Sequence, residues 1–445
     1  MDKLRQELFE SASIPKAFFT LTIPAALGKV IMLLYNIADT WFIASTGNAD
    51  LVAGVSLCSP VFMLMVAIGD IFGVGGSSMI SRLFGKGETQ QAGRASAFCF
   101  YGALSGGVLA SVVLLLFEGP ILRLLGADDA IVPYAADYYR YIALGAPLTV
   151  TCIVPLNLLR SEGMARQSML GSALGSVVNI ILDPIFIFTL DMGAAGAAIA
   201  TVLGNAASMA LYLFFILRKA QVLSVSPVRL AKGRREIAPV FSIGIPASLN
   251  NLMQSFGVAV FNRYLLLYGP DKIAAAGIAS KISMIAAILV VAFAFGALPL
   301  VGYAYGKGDR QKLKEIIRFF LLFQLCLSTT AALVLGIFSR PLVAAFMEEP
   351  AILTAGTAIL RRQLLGMPFI SVVLVCTIIF QASGKSGPAL ALSLSRQGAV
   401  YLIVIVIANA LAGYGGVIAA QPLADLLSAV LAVALLVTSL RKELK

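Results

Sequence analysis

Long apolar runs recur along the whole chain, divided by short polar stretches. They predict twelve membrane-crossing helices over residues 17–45, 52–77, 95–117, 136–160, 168–190, 194–218, 239–268, 274–303, 314–339, 356–382, 387–411 and 415–440. Each run suffices for the roughly 30 Å of hydrocarbon that about 20 helical residues span. The polar stretches alternate in charge. Basic residues gather before the first run (Lys3, Arg5, Lys16), in the second loop (Arg82, Lys86, Arg94), in the fourth (Arg160, Arg166), at Lys385 in the tenth, and in the tail (Arg441, Lys442, Lys445). The sixth loop holds six of them from Arg218 to Arg235, and the eighth five from Lys307 to Arg318. The odd-numbered loops are poor in them, and the acidic pairs Asp128-Asp129 and Glu348-Glu349 fall there. The positive-inside rule then predicts cytoplasmic termini and cytoplasmic basic loops.

The pattern also repeats at an offset close to 221. Ile23-Pro24-Ala25 returns as Ile245-Pro246-Ala247, and Phe84-Gly85-Lys86-Gly87-Glu88 as Tyr305-Gly306-Lys307-Gly308-Asp309. Pro120 matches Pro341, Pro147 matches Pro368, Ser161-Glu162-Gly163 roughly matches Ser383-Gly384, and Gly196-Ala197-Ala198-Ile199-Ala200 matches Gly416-Val417-Ile418-Ala419-Ala420. An even number of spans per half gives both halves one orientation, related by an axis along the membrane normal. The expected architecture is an all-α integral membrane protein with twelve transmembrane helices in two pseudo-symmetric six-helix bundles. Residues 1–218 form the first lobe, 219–238 a cytoplasmic linker and hinge, and 239–445 the second lobe. Prolines within or near the spans permit kinks, or merely reflect ordinary membrane-helix packing.

Composition sharpens the class. The chain has 445 residues, 59% hydrophobic and 12% charged, against about 25% charged in soluble domains. The net charge of +11 would suit nucleic acid if it were clustered, but it lies in short loops, so no nucleic-acid partner is expected. A charged, polar start leads straight into a full-length span, so no cleavable signal peptide is expected. The five cysteines sit in or beside apolar runs without a Cys-x-x-Cys and read as packing residues. With no histidine, catalysis, metal binding and proton relay by imidazole are all excluded.

The candidate chemistry is carried by buried charge. Asp39 sits in Tyr35-Asn36-Ile37-Ala38-Asp39-Thr40-Trp41-Phe42, deep in the first run, where a carboxylate costs about 2.5–3.5 kcal/mol on insertion scales. Asp183 follows Asn179 by four residues and so shares its helix face. Pro184 leaves the Ile180 carbonyl without a donor, so an amide, a carboxylate and a carbonyl meet on one face. Such a set suits a proton or a hard cation such as Na⁺; the plainer reading is a structural cap near the helix end. The Thr201 hydroxyl would complete the site, or simply bond its own backbone. The repeat counterparts of Asp39 and Asp183 lie near Phe261 and Val404, both apolar, so the scaffold does not need acids there. The second lobe instead buries Arg263, Lys281 and Arg396, with Asp425 its clear acid; these pair, snorkel, or form a basic wall for an anionic or zwitterionic substrate. Lys29 and Asp70 make a candidate ion pair in the first lobe. Neither a Walker A sequence nor a Gly-x-Ser-x-Gly elbow occurs, and Gly73-Val74-Gly75-Gly76 lacks a Rossmann context, so no enzyme is expected.

The chain resembles the multidrug and toxic compound extrusion (MATE) family, and within it the bacterial exporters of the MepA type. The resemblance rests on the stretch from Tyr35 to Ile43, Gly73-Val74-Gly75-Gly76 with Ser81-Arg82-Leu83-Phe84-Gly85-Lys86-Gly87, Leu182-Asp183-Pro184-Ile185-Phe186-Ile187, Gly302-Tyr303-Ala304-Tyr305-Gly306, and Phe380-Gln381-Ala382-Ser383-Gly384-Lys385. It implies two bundles around a V-shaped cavity and export of amphipathic drugs or toxic compounds by H⁺ or Na⁺ antiport. It further implies the plasma membrane of a bacterium, contact with lipid, a monomer, and no cofactor beyond the coupling ion. In the branch with its cation site in the amino-terminal lobe, the matching positions are Asp39, Asn179, Asp183 and Thr201, where Na⁺ would also bind. A second-lobe site on the seventh helix is not matched, since that helix offers Asn250, Asn251 and Gln254 but no acid. Tyr35, Lys29, Asp70, Gln254, Arg263, Lys281, Arg396 and Asp425 are the candidate substrate or ion-pair residues. Rival readings are a flippase or exporter of a lipid-linked, anionic or peptide-like product, and a channel or receptor.

Overall fold

A computed structural model describes residues 3–230, 237–347 and 349–444. Glu348, the basic residues of 231–236 and Lys445 lie outside the described residues. The first half runs α1 (Lys3–Glu10), α2 (Ile14–Ala44), α3 (Ala49–Leu57), α4 (Ser59–Gly85), α5 (Thr89–Leu116), α6 (Glu118–Leu125), α7 (Val132–Leu144), α8 (Ala146–Ser161), α9 (Ala165–Pro184) and α10 (Gly193–Arg218). After α11 (Pro227–Leu230) the second half runs α12 (Ile237–Leu266), α13 (Pro270–Lys307), α14 (Arg310–Ile337), α15 (Ser339–Ala344), α16 (Pro350–Leu365), α17 (Met367–Ser383), α18 (Ser386–Leu394) and α19 (Val400–Leu444).

Among the described residues, eight helical stretches are long and apolar enough to cross a membrane, and two bent pairs bring the number to ten. The remaining two are α12, diluted by Asn250, Asn251 and Gln254, and a division of the 386–440 stretch at Gly413 (φ 55°, ψ −134°). The bent pairs are α7 with α8, at 53°, and α16 with α17, at 41°. They break at Gly145 and Gly366, each two residues before a proline of the repeat. Pro147 and Pro368 have no N–H for the carbonyl one turn back, so each helix restarts in a new direction. The repeated prolines Pro24 and Pro246 instead lie inside the continuous helices α2 and α12. Single π turns at Ile185–Thr189 and Ser395–Ala399 also recur in corresponding spans.

Within the first lobe, α4 packs on α8 and α5, and α9 lies between α2 and α10. The lobes meet where α4 runs along α12 and α13, and where α2 runs along α13. This seam lies at the end that carries the basic loops. Gly75 faces the Val240 carbonyl and Gly244 the Ile71 carbonyl; Gly85 faces the Tyr303 carbonyl and Gly306 the Arg82 carbonyl. Small residues let membrane helices approach this closely. Arg82 crosses the seam to donate to the Ala382 carbonyl at 3.1 Å.

One apolar core, with Phe18, Ile80, Tyr212, Phe320 and Phe380, joins both lobes at the basic end and extends within the first lobe to Leu122 and Tyr139. At the far end the second lobe has its own core around Ile359 and Tyr401, and the first lobe a small one around Ile43 and Ile187. The lobes are therefore joined at the basic end and separate at the other. Helix phase agrees: Asn36, Ile37 and Thr40 lie on the α2 face that includes Thr22 at the seam, yet they are exposed. Lys281 and Ile285 share the α13 face of Gly296, and they too are exposed. A cavity open to the far end lies between these faces.

The linker is less free than a hinge over its full length. The Gln221 and Leu223 amides donate to the Glu162 carboxylate at 2.7 and 3.3 Å, and the Tyr101 hydroxyl donates to the Val225 carbonyl at 2.9 Å. Residues 221–225 are thus bonded to the first lobe.

Candidate functional site

The α9–α10 contact is tight because Gly175 and Gly204 pass backbone to backbone, with a Cβ on either meeting the other's carbonyl at 2.6–2.7 Å. That approach brings Thr201 of α10 beside Asn179 of α9, whose amide donates to Thr201 Oγ1 at 3.4 Å and to Asp183 Oδ1 at 3.2 Å. From the other side α2 packs on α9, its Gly28 lying against Ser172 and Met169. Three further turns along, Asp39 comes up beside Asp183. The four residues named from the sequence thus meet in one place inside the first lobe. Asp183 and Asn179 are buried and Asp39 is half-buried.

Three oxygens in this cluster, Asp39 Oδ1, Asn179 Oδ1 and Asp183 Oδ2, are buried without a partner among the described residues. Two carboxylates in contact repel strongly unless a proton or cation lies between them. The free oxygens suit either, since a hard cation takes carboxylate, amide and hydroxyl oxygens. Tyr35 of α2 and Tyr138 of α7 lie within electrostatic range of both acids. Tyr138 is a residue that sequence reasoning missed. Its neighbour Tyr139 turns about 100° away and donates to the Leu114 carbonyl at 2.8 Å, and nothing in the sequence tells the two apart.

Lys29 and Asp70 feel each other's charge without direct contact. Lys29 does not reach salt-bridge distance among the described residues, and it feels Arg160 as well as Asp70. Asp70 instead accepts from Asn251 Nδ2 at 2.8 Å, a bond from α4 to α12 across the seam. It lies just above the glycine contacts, at the floor of the cavity. Gln254 stands exposed about one turn higher on α12.

In the second lobe one cation is paired. Arg396 Nε lies 3.0 Å from Asp425 Oδ1, and Gln421 donates to the same oxygen at 3.1 Å. Arg263 and Lys281 are exposed and join no salt bridge among the described residues. The Arg396–Asp425 pair is buried, with side-chain exposures of 17% and 1%. Arg396→Met would leave the Asp425 charge buried without a counter-charge, with the Gln421 amide as its remaining partner; breaking a buried pair in this way costs about 3–5 kcal/mol, whereas an apolar pair is close to neutral. We therefore expect Arg396→Met to lower the thermal midpoint in detergent, and Arg396→Met with Asp425→Leu to restore most of it. A single variant as stable as the parent would remove the pair's structural role.

The MatE family profile matches twice, over residues 24–185 and 246–418. The chain is 30% identical over 442 residues to the multidrug export protein MepA of Staphylococcus aureus, covering 98% of this chain and 96% of that one. Among solved structures, a MOP superfamily transporter from Pyrococcus furiosus, described as having a binding pocket of reverse polarity, matches with a TM-score of 0.93 and 25% identity over 100% of this chain and 99% of that one. A multidrug resistance MATE family transporter in an outward-facing conformation matches with a TM-score of 0.92 and 25% identity, over 99% of each chain. The two-lobed fold and a profile that fits each half together place this chain in the MatE family of membrane transporters, to which it belongs.

Proposed function

We propose that this protein exports amphipathic small molecules from a bacterial cell by alternating access, driven by H⁺ or Na⁺ moving inward, with the acid cluster of the first lobe as the ion site. The observation that carries the reading is the contact of Asp39 with Asp183, beside three buried oxygens that lack partners. The S. aureus relative, named a multidrug export protein, supports the direction and the kind of substrate.

The basic loops face the cytoplasm, as the positive-inside rule requires, with both termini on that side. The open cavity then faces outward. In this state an external ion enters between Asp39 and Asp183, with Asn179 and Thr201 available as further oxygen ligands for Na⁺. Relief of the carboxylate repulsion lets α2 tighten on α9. The same helix forms part of the cavity wall at Asn36, Ile37 and Thr40, so ion entry and loss of substrate contacts are one motion. Opening the basic end requires the Asp70–Asn251 bond and the glycine seam to part. The inward-open protein releases the ion into the cytoplasm and reloads with substrate. Exposed apolar side chains such as Ile37 and Ile285 supply the binding surface for an amphipathic molecule. One chain holds both lobes and the cavity, and acts as a monomer.

The test is efflux of a fluorescent amphipathic cation from proteoliposomes, with a pH gradient and a Na⁺ gradient imposed separately. Transport should rise with one gradient and collapse when it is dissipated. Ion flux without substrate exchange would point to a channel and overturn the reading.

A further inference from the structure

A second cleft, at the basic end, has no part in that scheme. It encloses about 960 Å³ between α1, the start of α2, the Gly163–Met164 turn and the end of α10. Lys16, Arg218 and Lys219 line it, with Glu7 as the acid, leaving an excess of two positive charges (three basic minus one acidic). Gln167 adds an amide donor.

From the cleft, polar residues give way to apolar ones along single helix faces. On α2, Lys16 and Thr20 are followed at helical spacing by Ile23 and Leu27, which are 45% and 50% exposed. On α9, Gln167 is followed in the same way by exposed Leu170 and Leu174. The packing of α2 on α9 sets these stripes side by side. A cationic cleft at the level where helices leave the bilayer, continuous with an exposed apolar strip, matches an amphiphile with an anionic head and acyl chains. Arg218 offers the planar fork that suits a phosphate, and Lys16 a mobile point charge.

We propose that this cleft binds an anionic phospholipid of the surrounding leaflet, with the phosphodiester at Lys16 and Arg218 and the chains along the α2–α9 strip. The site has a consequence for the seam, because its wall α1 also touches the second lobe. Phe9 stacks on Tyr303 with centroids 4.7 Å apart, and the Glu10 carboxylate accepts from the Tyr303 hydroxyl at 2.9 Å and from Lys307 Nζ at 2.7 Å. Lys312 Nζ donates to the Glu10 carbonyl at 2.8 Å. On the first-lobe side, Phe9 lies against Gly163. A headgroup in the cleft braces α1 against the first lobe while Glu10 holds the second, and so favours the state closed at the basic end.

The experiment is native mass spectrometry of the full chain, purified from equal mixtures of phosphatidylglycerol and phosphatidylcholine, with thermal stability measured in parallel. The parent should retain one phosphatidylglycerol in preference to phosphatidylcholine, and Lys16→Gln with Arg218→Gln should cut that preference about tenfold. Glu7→Gln keeps every basic residue and should raise retention, which carries the test even if the double variant fails to fold. Equal retention of the two lipids, or a preference unchanged in these variants, would overturn the proposal. Inorganic phosphate displacing the lipid at millimolar concentration would assign the cleft to a free anion and overturn it as well. None of these readouts depends on transport, so the site stands or falls apart from the coupling scheme.

Discussion

Asp183→Asn and Asp39→Asn should each reduce gradient-driven efflux to the level of empty liposomes while leaving the protein folded. The amide keeps the shape of the carboxyl but can neither take up a proton at neutral pH nor supply a charge to a cation. Stability should stay level or rise, since each change removes one of two acids that repel in a site shielded from water. Loss of function with a gain in thermal midpoint is the pattern of a site selected for function over stability. The neighbours divide the two ions. If Na⁺ is the coupling ion, Asn179→Ala and Thr201→Val each remove a ligand oxygen and should weaken Na⁺ dependence by about tenfold or more, as expected for loss of a ligand or its support. If H⁺ is the coupling ion, the acids alone suffice, and these two variants should keep most of the pH-driven rate. Full gradient-driven efflux in Asp39→Asn would end the case for this cluster.

The second large effect is expected at the glycine seam. A methyl group on Gly85 would press into the Tyr303 carbonyl, and one on Gly306 into the Arg82 carbonyl. Backbone cannot yield as a flexible side chain does, so the lobes must part. Overpacking of this kind costs about 1–3 kcal/mol per site, which shifts a two-state balance by about fivefold to about 150-fold. Gly85→Ala with Gly306→Ala approaches the roughly 5.5 kcal/mol that turns a population from one state to the other. Spin labels at residues 37 and 285, on opposite cavity walls, should move closer in this double variant, and export should fail. Gly336→Ala, at a position with nothing within 4 Å of the added carbon, should leave both measurements unchanged. Label distances that do not change would show that the seam does not set the conformational balance.

The spans were legible because hydrocarbon demands long apolar runs, and only α12 stands apart, with Asn250, Asn251 and Gln254 near its middle. The bends at Gly145 and Gly366 were half legible: Pro147 and Pro368 mark them, but Pro24 and Pro246 repeat as faithfully and bend nothing sharply. Asp39, Asn179, Asp183 and Thr201 could each be picked out as polar groups in apolar surroundings. Their meeting could not, apart from the helix spacing of Asn179 and Asp183, because it depends on how close α2 and α10 come to α9. Lys29 and Asp70 stop short of direct contact for a related reason. Opposite charges in neighbouring spans suggest each other, but the phase of α4 turns Asp70 toward Asn251 in the other lobe. Tyr138 was hidden for want of charge. Arg396 and Asp425 were rightly weighed as partners, since a buried acid and a nearby cation have few alternatives.

The bonding of residues 221–225 to the first lobe bears on how strong the seam must be. With α11 also lying against α5, six residues of sequence, 231–236, link the last described helix on the first lobe to the first described helix of the second. So short a connection makes docking of the lobes intramolecular, at an effective concentration in the millimolar range. Surfaces that would associate only weakly as separate chains then remain closed most of the time. Tethering therefore removes the need for a tight seam: one of modest intrinsic affinity can be opened by the binding energy of one ion or one substrate molecule, where a tighter one would lock the cycle in a single state.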